Sequence, residues 1–409
     1  MLEPLGGGQV VSYIVGLAHL GYKYEILSLE KDSDRNQSAG EATLRMQLAA
    51  AGVSWTQLAY RNGGVVHLAG TYGRMFRELR RKWKSGRFNL LHARSFLMGL
   101  LARHVAGQQY IYDARGYWVD ERREAGRWFR PRLIYQLAKR YEGKIARDAA
   151  AIVTLTDLQG NDFRAQFPGK PIMTIATCAD FERFRPGAEA SDLPQKVRDR
   201  LAGKLVLGLV GSINRSYRTQ DSLRLYQFVR AAEPRAHLLC LTRQEREMRE
   251  YLGQAHIAEE DFTLTSAAHD YMHEWMSLMH WGLLLLETSF AKRASMPTKL
   301  GEMFAAGVRP VQYGCNEEVV RLVREAGSGV VLAGVSDDDL RSAAAEIVRI
   351  GREKAGVLRA REKMRDHFSL ETGTIRYAEL LARAIRHSAD ENPPHRKLPE
   401  RVTSLVERN

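Results

Sequence analysis

Short apolar runs alternate with longer amphipathic stretches along most of this chain, and that alternation limits what it can fold into more than any other feature. Tyr24 to Leu29, Leu90 to Leu91, Tyr110 to Tyr112, Ala151 to Leu155 and Pro171 to Ile175 read as strands with helical spacing between them. After a polar, loop-like stretch from Pro186 to Pro194, the alternation resumes with Leu205 to Val210, His237 to Leu241, Leu283 to Leu286, Val311 and Gly329 to Leu332. This is the pattern of parallel sheets covered by helices, so the expected class is α/β with two doubly wound domains. The 409 residues exceed what one hydrophobic core usually supports, and 44% apolar content is ample for two. We expect domains at 1–186 and 201–368, a linker at 187–200 and a final helix at 369–390. The remaining 391–409, proline-bearing and charged, reads as a disordered tail. No internal repeat or coiled-coil heptad is present.

Charge and cysteine content narrow the function classes. Cys178, Cys240 and Cys315 are odd in number and widely spaced, which fits reduced structural thiols of the cytoplasm rather than a disulfide framework or a metal site. The chain opens without a basic-then-apolar leader, and clean apolar runs such as Leu283 to Leu286 are far too short to cross a bilayer. The expectation is a cytoplasmic protein, soluble or peripheral at the inner face of the membrane. Sixty-one Lys and Arg against 48 Asp and Glu favour anionic partners: a nucleotide diphosphate, an anionic lipid or a nucleic acid. The basic residues are scattered through both halves without a recognised nucleic-acid motif, which argues against nucleic acid. Arg74, Arg77, Arg80, Arg81, Lys82, Lys84 and Arg87 surround a helical stripe of Tyr72, Met75, Phe76, Leu79 and Trp83. That stripe either docks on the protein's own sheet or rests on an anionic membrane.

The segment from Pro297 to Glu302 joins a polar turn to an apolar helix. Proline suits a helix start, Thr298 or Ser295 can cap its free N–H groups, and such an end welcomes an anion. Lys299 and Glu302 share a face, offering a cation to a diphosphate and a carboxylate to ribose hydroxyls. A Pro-initiated amphipathic helix with a surface ion pair is the plainer reading. Asp113 ends an apolar strand, where open α/β sheets bind ligands, although a strand-end Asp also caps the turn that follows. His92 and Arg94 end another strand and invite the same two readings.

Four blocks in order carry a family resemblance. Pro297-Thr298-Lys299-Leu300-Gly301-Glu302, followed by Ala305, Gly307 and Pro310-Val311, is similar to the donor-site segment of glycosyltransferase family 4. Asp113 to Arg122 resembles the acceptor-side segment of a bacterial surface-polysaccharide branch of that family. Gly211-Ser212 with Tyr217 resembles its nucleotide-binding glycine turn, and Thr177 to Pro186 its approach to the linker. The resemblance implies the GT-B fold: two Rossmann-like domains facing across a cleft, with a C-terminal helix crossing back to the first. It implies retaining transfer from a nucleotide-sugar donor to a saccharide or polyprenyl-linked acceptor, without cofactor or metal. Gly211, Ser212, Arg215, Pro297, Thr298, Lys299 and Glu302 would hold the donor. Gly7, Gly8, His92, Arg94, Asp113, Arg115, Asp120 and Glu121 would face the acceptor, with Asp113 and Lys299 as the catalytic pair.

Two departures stand out. The first glutamate of the family's pair is Ala294 here, which puts donor identity in doubt. The family's first strand is missing ahead of the glycines at 6–8, either through a start codon assigned too late or through true loss. Two rivals are a GT-B nucleotide-sugar epimerase and a non-catalytic basic adaptor for membrane or polyanion, the latter suggested by Trp83 and Trp128 among arginines.

Overall fold

The computed structural model describes residues 10–31, 38–60, 64–126, 131–188 and 190–391. The chain forms two compact units, one of Met1–Ala176 with Leu370–Asn409 and one of Thr177–Ser369. In the first, α1 (Ser12–His19), β1 (Glu25–Lys31), α2 (Ser38–Ala50), β2 (Ser54–Tyr60), α3 (Gly64–Lys84), β3 (Leu91–Arg94), α4 (Phe96–Ala106) and β4 (Tyr110–Ala114) come first. They are followed by α5 (Trp118–Glu124), α6 (Arg132–Asp148), β5 (Ala151–Thr154), α7 (Asp157–Gln166) and β6 (Ile172–Thr174). The second unit holds α8 (Gln195–Leu201), β7 (Leu205–Val210), α9 (Thr219–Ala232), β8 (Ala236–Leu241), α10 (Glu245–Gln254), β9 (Phe262–Thr265) and α11 (Met272–Ser277). It continues with β10 (Trp281–Thr288), α12 (Thr298–Ala306), β11 (Arg309–Cys315), α13 (Glu317–Ala326), β12 (Val330–Val331), α14 (Asp337–Ile350) and α15 (Val357–Phe368). The last helix, α16 (Leu370–Glu391), belongs to the first unit.

Every described strand pairing is parallel, because each strand is followed by a crossover rather than a hairpin. In the first unit, β1 and β2 form their own two-stranded sheet, and the other four strands lie in the order β3-β4-β5-β6. Strand β2 is absent from the apolar-run reading, since all but one of its seven residues are only half-buried and Thr56 and Gln57 interrupt its apolar pattern. The core of the four-stranded sheet centres on Tyr110, Tyr112, Ile145 and Ile152. Helix α4 lies so close to this core that a Cβ on Gly99 would sit 2.7 Å from Ile145 Cγ2 and 3.0 Å from Tyr112 Cδ2. Helix α16 closes the unit by burying Tyr377, Ala378, Leu380, Leu381, Ala382 and Ala384. It packs along α1, and Tyr22 donates its hydroxyl to the Ala378 carbonyl at 2.9 Å.

The second unit has one six-stranded sheet in the order β12-β11-β10-β7-β8-β9. Winding runs outward from β7 in one direction and from β10 in the other, so the strand order reverses between these two neighbours. Leu207, Leu238, Trp281, Leu283 and Val311 fill its core. Trp281 is fully buried, donates its indole N–H to the Gly351 carbonyl at 3.0 Å and carries Arg309 over its ring at 5.5 Å. Its place is therefore explained by packing and by a satisfied polar edge.

Gly99 and Gly73 provide a paired test of this packing. Gly99→Ala should lower the unfolding free energy of the first unit by about 1–3 kcal/mol through overpacking. Gly73→Ala, where no atom lies within 4 Å of a new Cβ, should leave it unchanged or raise it by about 0.4–1 kcal/mol. Urea denaturation followed by circular dichroism reads both.

Candidate functional site

Open parallel sheets leave a crevice outside the carboxyl ends of the strands where the winding direction reverses. In the second unit that point lies between β7 and β10. Strand β7 ends at Val210 and turns at Gly211, whose φ of +120° lies in the region that favours glycine. The Gly211 N–H donates to the Leu241 carbonyl at 2.8 Å, and a Cβ there would lie 2.5 Å from Lys299 Nζ. Only glycine lets the lysine lie against this turn. Lys299 Nζ then donates to the Tyr217 hydroxyl at 3.3 Å and sits 5.2 Å from that ring's centroid. The turn is laced to the end of β10: Arg218 N–H donates to Leu285 O, and Glu287 N–H to Ser216 O, each at 3.0 Å.

The second wall is the start of α12. Pro297 is its N-cap residue, and no side chain caps the helix there. The approaching chain is held through its backbone. Asn316 Nδ2 donates to the carbonyls of Ser295 at 2.6 Å and Lys292 at 2.9 Å, and Thr177 Oγ1 donates to Met296 O at 3.1 Å. A nine-residue helix thus begins beside an ammonium group and a glycine turn, a combination that favours anionic oxygens.

Glu302 lies one turn further on, half-buried. Burial pushes its carboxyl up to about 7, against the opposing pull of Lys299 and then Arg183. Arg183 was not foreseen in the sequence, because it reaches Glu302 from 119 positions away, a relation no local spacing shows. Of the remaining expected donor residues, Ser212 is exposed and accepts from Asn214 Nδ2 at 2.9 Å, and Arg215 is exposed.

In the first unit, Asp113 ends β4 but turns inward, only 1% exposed. Tyr377 of α16 donates its hydroxyl to Asp113 Oδ2 at 3.1 Å. Arg94 Nη1 approaches the same oxygen at 3.4 Å, His92 Nε2 approaches it at 3.6 Å, and Arg115 Nη1 stands 3.6 Å from Oδ1. Burial alone would raise the Asp113 pKa; Arg115, His92 and Arg94 outweigh it and hold the carboxyl well below its usual range. The sequence left this carboxylate either to orient an acceptor hydroxyl or to cap the following turn; here it is buried and gathers three basic side chains. Tyr377, 264 positions away, carried no sequence signal for this role.

Asp120 is likewise buried, accepting from Tyr135 Oη and Lys139 Nζ at 2.7 Å each, so it ties α5 to α6. Glu121 is half-buried beside Gly116. Gly7 and Gly8 lie outside the described residues. The three cysteines are free and buried, and burial pushes the Cys315 thiol up to about 12. Among the described residues, no group of His, Cys, Asp and Glu is arranged to hold a metal ion, and no helix is long and apolar enough to cross a membrane.

Comparison with known proteins agrees with this architecture. Residues 6–177 match a family profile described as a glycosyl transferase 4-like domain. No curated protein sequence matches the chain. Among solved structures, Alr3699/HepE of Anabaena, in complex with UDP and glucose, superposes with a TM-score of 0.65 at 12% identity, covering 92% of this chain and 96% of that one. Sucrose-phosphate synthase from Thermosynechococcus elongatus gives 0.62 at 13% identity, covering 89% and 100%. A glycosyltransferase from Rickettsia africae gives 0.63 at 13%, covering 93% and 96%.

Glu302 makes the donor region pH-sensitive in a defined direction. Its folded pKa is raised above the ordinary 4.5, so the folded state holds a proton that the unfolded chain releases. The resulting destabilisation is absent below 4.5, grows as pH rises and is complete above about 7. Wild-type stability should therefore fall relative to Glu302→Gln across that interval in thermal melts at stepped pH; parallel curves would contradict the assignment. The parallel sheets and their covering helices share the GT-B fold of these structures, and the match to the glycosyl transferase 4-like profile spans residues 6–177.

Proposed function

We propose that the chain is a retaining glycosyltransferase that moves a sugar from a nucleotide-diphosphate donor to a saccharide or polyprenyl-linked saccharide. The setting is bacterial surface polysaccharide synthesis at the cytoplasmic face of the membrane. One observation carries the reading: Lys299, the Gly211 turn and the start of α12 converge where the sheet of the second unit reverses its winding. A pyrophosphate placed there meets an ammonium group and backbone N–H donors. Glu302, one turn along, accepts hydrogen bonds from ribose hydroxyls as its carboxylate forms. Ser212 and Arg215, exposed beside the turn, close over the nucleotide.

Departure of the nucleotide diphosphate develops negative charge on its β-phosphate, and Lys299 with the helix terminus stabilises that charge as it grows. In retaining transfer the acceptor hydroxyl attacks from the face the diphosphate leaves, and its proton passes to a β-phosphate oxygen. The protein then supplies orientation and charge rather than a nucleophile. On the first unit, Arg94, Arg115 and His92 present hydrogen-bond donors to the acceptor. Asp113 acts through them as a positioning residue, and Glu121 borders them.

Lys299→Ala should lower turnover about 10²–10³-fold, the loss expected for a donor facing developing charge. Glu302→Ala should weaken nucleotide binding about tenfold or more, the loss of a hydrogen bond to a charged group. A thermal-shift screen of UDP-, GDP-, ADP- and dTDP-sugars identifies the donor, and calorimetry and turnover with that donor then read the variants. Wild-type values in both would remove this site from the reaction. Product formed from the nucleotide sugar alone would indicate an epimerase, and salt-dependent polyanion binding without nucleotide affinity would indicate an adaptor.

A further inference from the structure

Membrane contact at the sequence level points to α3, but the fold turns that stripe inward. Met75 is buried, Tyr72, Phe76, Leu79 and Trp83 are half-buried, and α3 packs on β2 and α4. Among the described residues, exposed large apolar side chains cluster on α6, while Met46, Tyr271, Phe290 and Leu358 stand singly elsewhere. Leu133 is 80% exposed, Ile134 52% and Leu137 54%, a concentration of large apolar side chains within five positions of one helix. Positions 133, 137, 140 and 144 recur at helical spacing, so Arg140 and Lys144 continue the same face toward the C-terminus. The opposite face, with Ala138, Glu142, Ile145 and Ala146, is buried.

Charge on this helix is also sorted up to its last residue, Asp148, which is half-buried and ion-paired with Arg103 and Arg147. From 132 to 147, each exposed charged side chain is basic: Arg132, Arg140, Lys144 and Arg147. The one acidic residue in that span, Glu142, is buried and ion-paired with Lys139. An apolar ridge continued and flanked by cations matches the boundary between headgroups and acyl chains of an anionic bilayer. A second copy of the chain fits it poorly, because a two-fold contact would bring these same cations together.

We propose that the exposed face of α6 docks on an anionic lipid membrane, with Leu133, Ile134 and Leu137 entering the interface and Arg140 and Lys144 meeting lipid phosphates. This extends the membrane-side setting proposed above and is independent of the donor site, since none of these residues belongs to it. The test is co-sedimentation of the full chain with vesicles of phosphatidylcholine alone or mixed with phosphatidylglycerol. Binding should require phosphatidylglycerol and weaken with salt. Leu133→Glu with Leu137→Glu should lower vesicle affinity about tenfold or more, and Arg140→Gln with Lys144→Gln should lower it about fivefold per charge removed. All four positions are solvent-facing, so folding and nucleotide-sugar binding should match wild type, which separates failure of this proposal from failure of the donor site. Wild-type chain that ignores anionic vesicles, or variants that bind them as wild type does, would overturn the proposal. So would apolar-face variants that reduce the mass at sedimentation equilibrium while vesicle binding stays intact, since the face would then join copies of the chain.

Discussion

The contact between Lys299 and Gly211 is the constraint on which the donor region depends. It exists because the winding of the second sheet reverses between β7 and β10, bringing the turn after one strand against the helix that follows the other. A side chain at 211 would expel the ammonium group, and glycine has none. The supporting bonds from Asn316 and Thr177 run to backbone carbonyls of the approaching loop, so the loop is fixed without using the helix end.

Two carboxyl groups show how environment assigns roles. Asp113 and Glu302 both suffer burial, which by itself raises a carboxyl pKa. Around Asp113 three basic groups and a tyrosine hydroxyl overcome that cost, leaving a permanent anion that organises its neighbours. Around Glu302 only Lys299 and Arg183 oppose burial, leaving a group poised near neutrality. A carboxyl in that condition gains much from hydroxyl donors that stabilise its charged form. The first is a strut; the second is suited to a ligand.

The fold class was legible because apolar strands alternating with helix-length segments admit few arrangements, and the proline-started helix carrying Lys299 and Glu302 because its spacing is local in sequence. Strand β2 was not, since a half-buried strand broken by Thr56 and Gln57 leaves no apolar run. The inward turn of Asp113 was not, because its partners come from the end of β3, from Arg115 two positions on and from a helix near the C-terminus. The bonds that Asp120 accepts from Tyr135 and Lys139 were not legible either, because those partners lie on α6, 15 and 19 positions away. On α3 and α6, amphipathicity was visible in sequence, but which apolar face meets the core is decided by tertiary packing.

The most direct measurement is hydrogen exchange resolved by peptide, with and without the nucleotide sugar that gives the largest thermal shift. The account predicts slowed exchange in the segments 211–217 and 298–302, with that slowing reduced in Lys299→Ala. Unchanged exchange in both segments under saturating ligand, with protection appearing elsewhere, would contradict it.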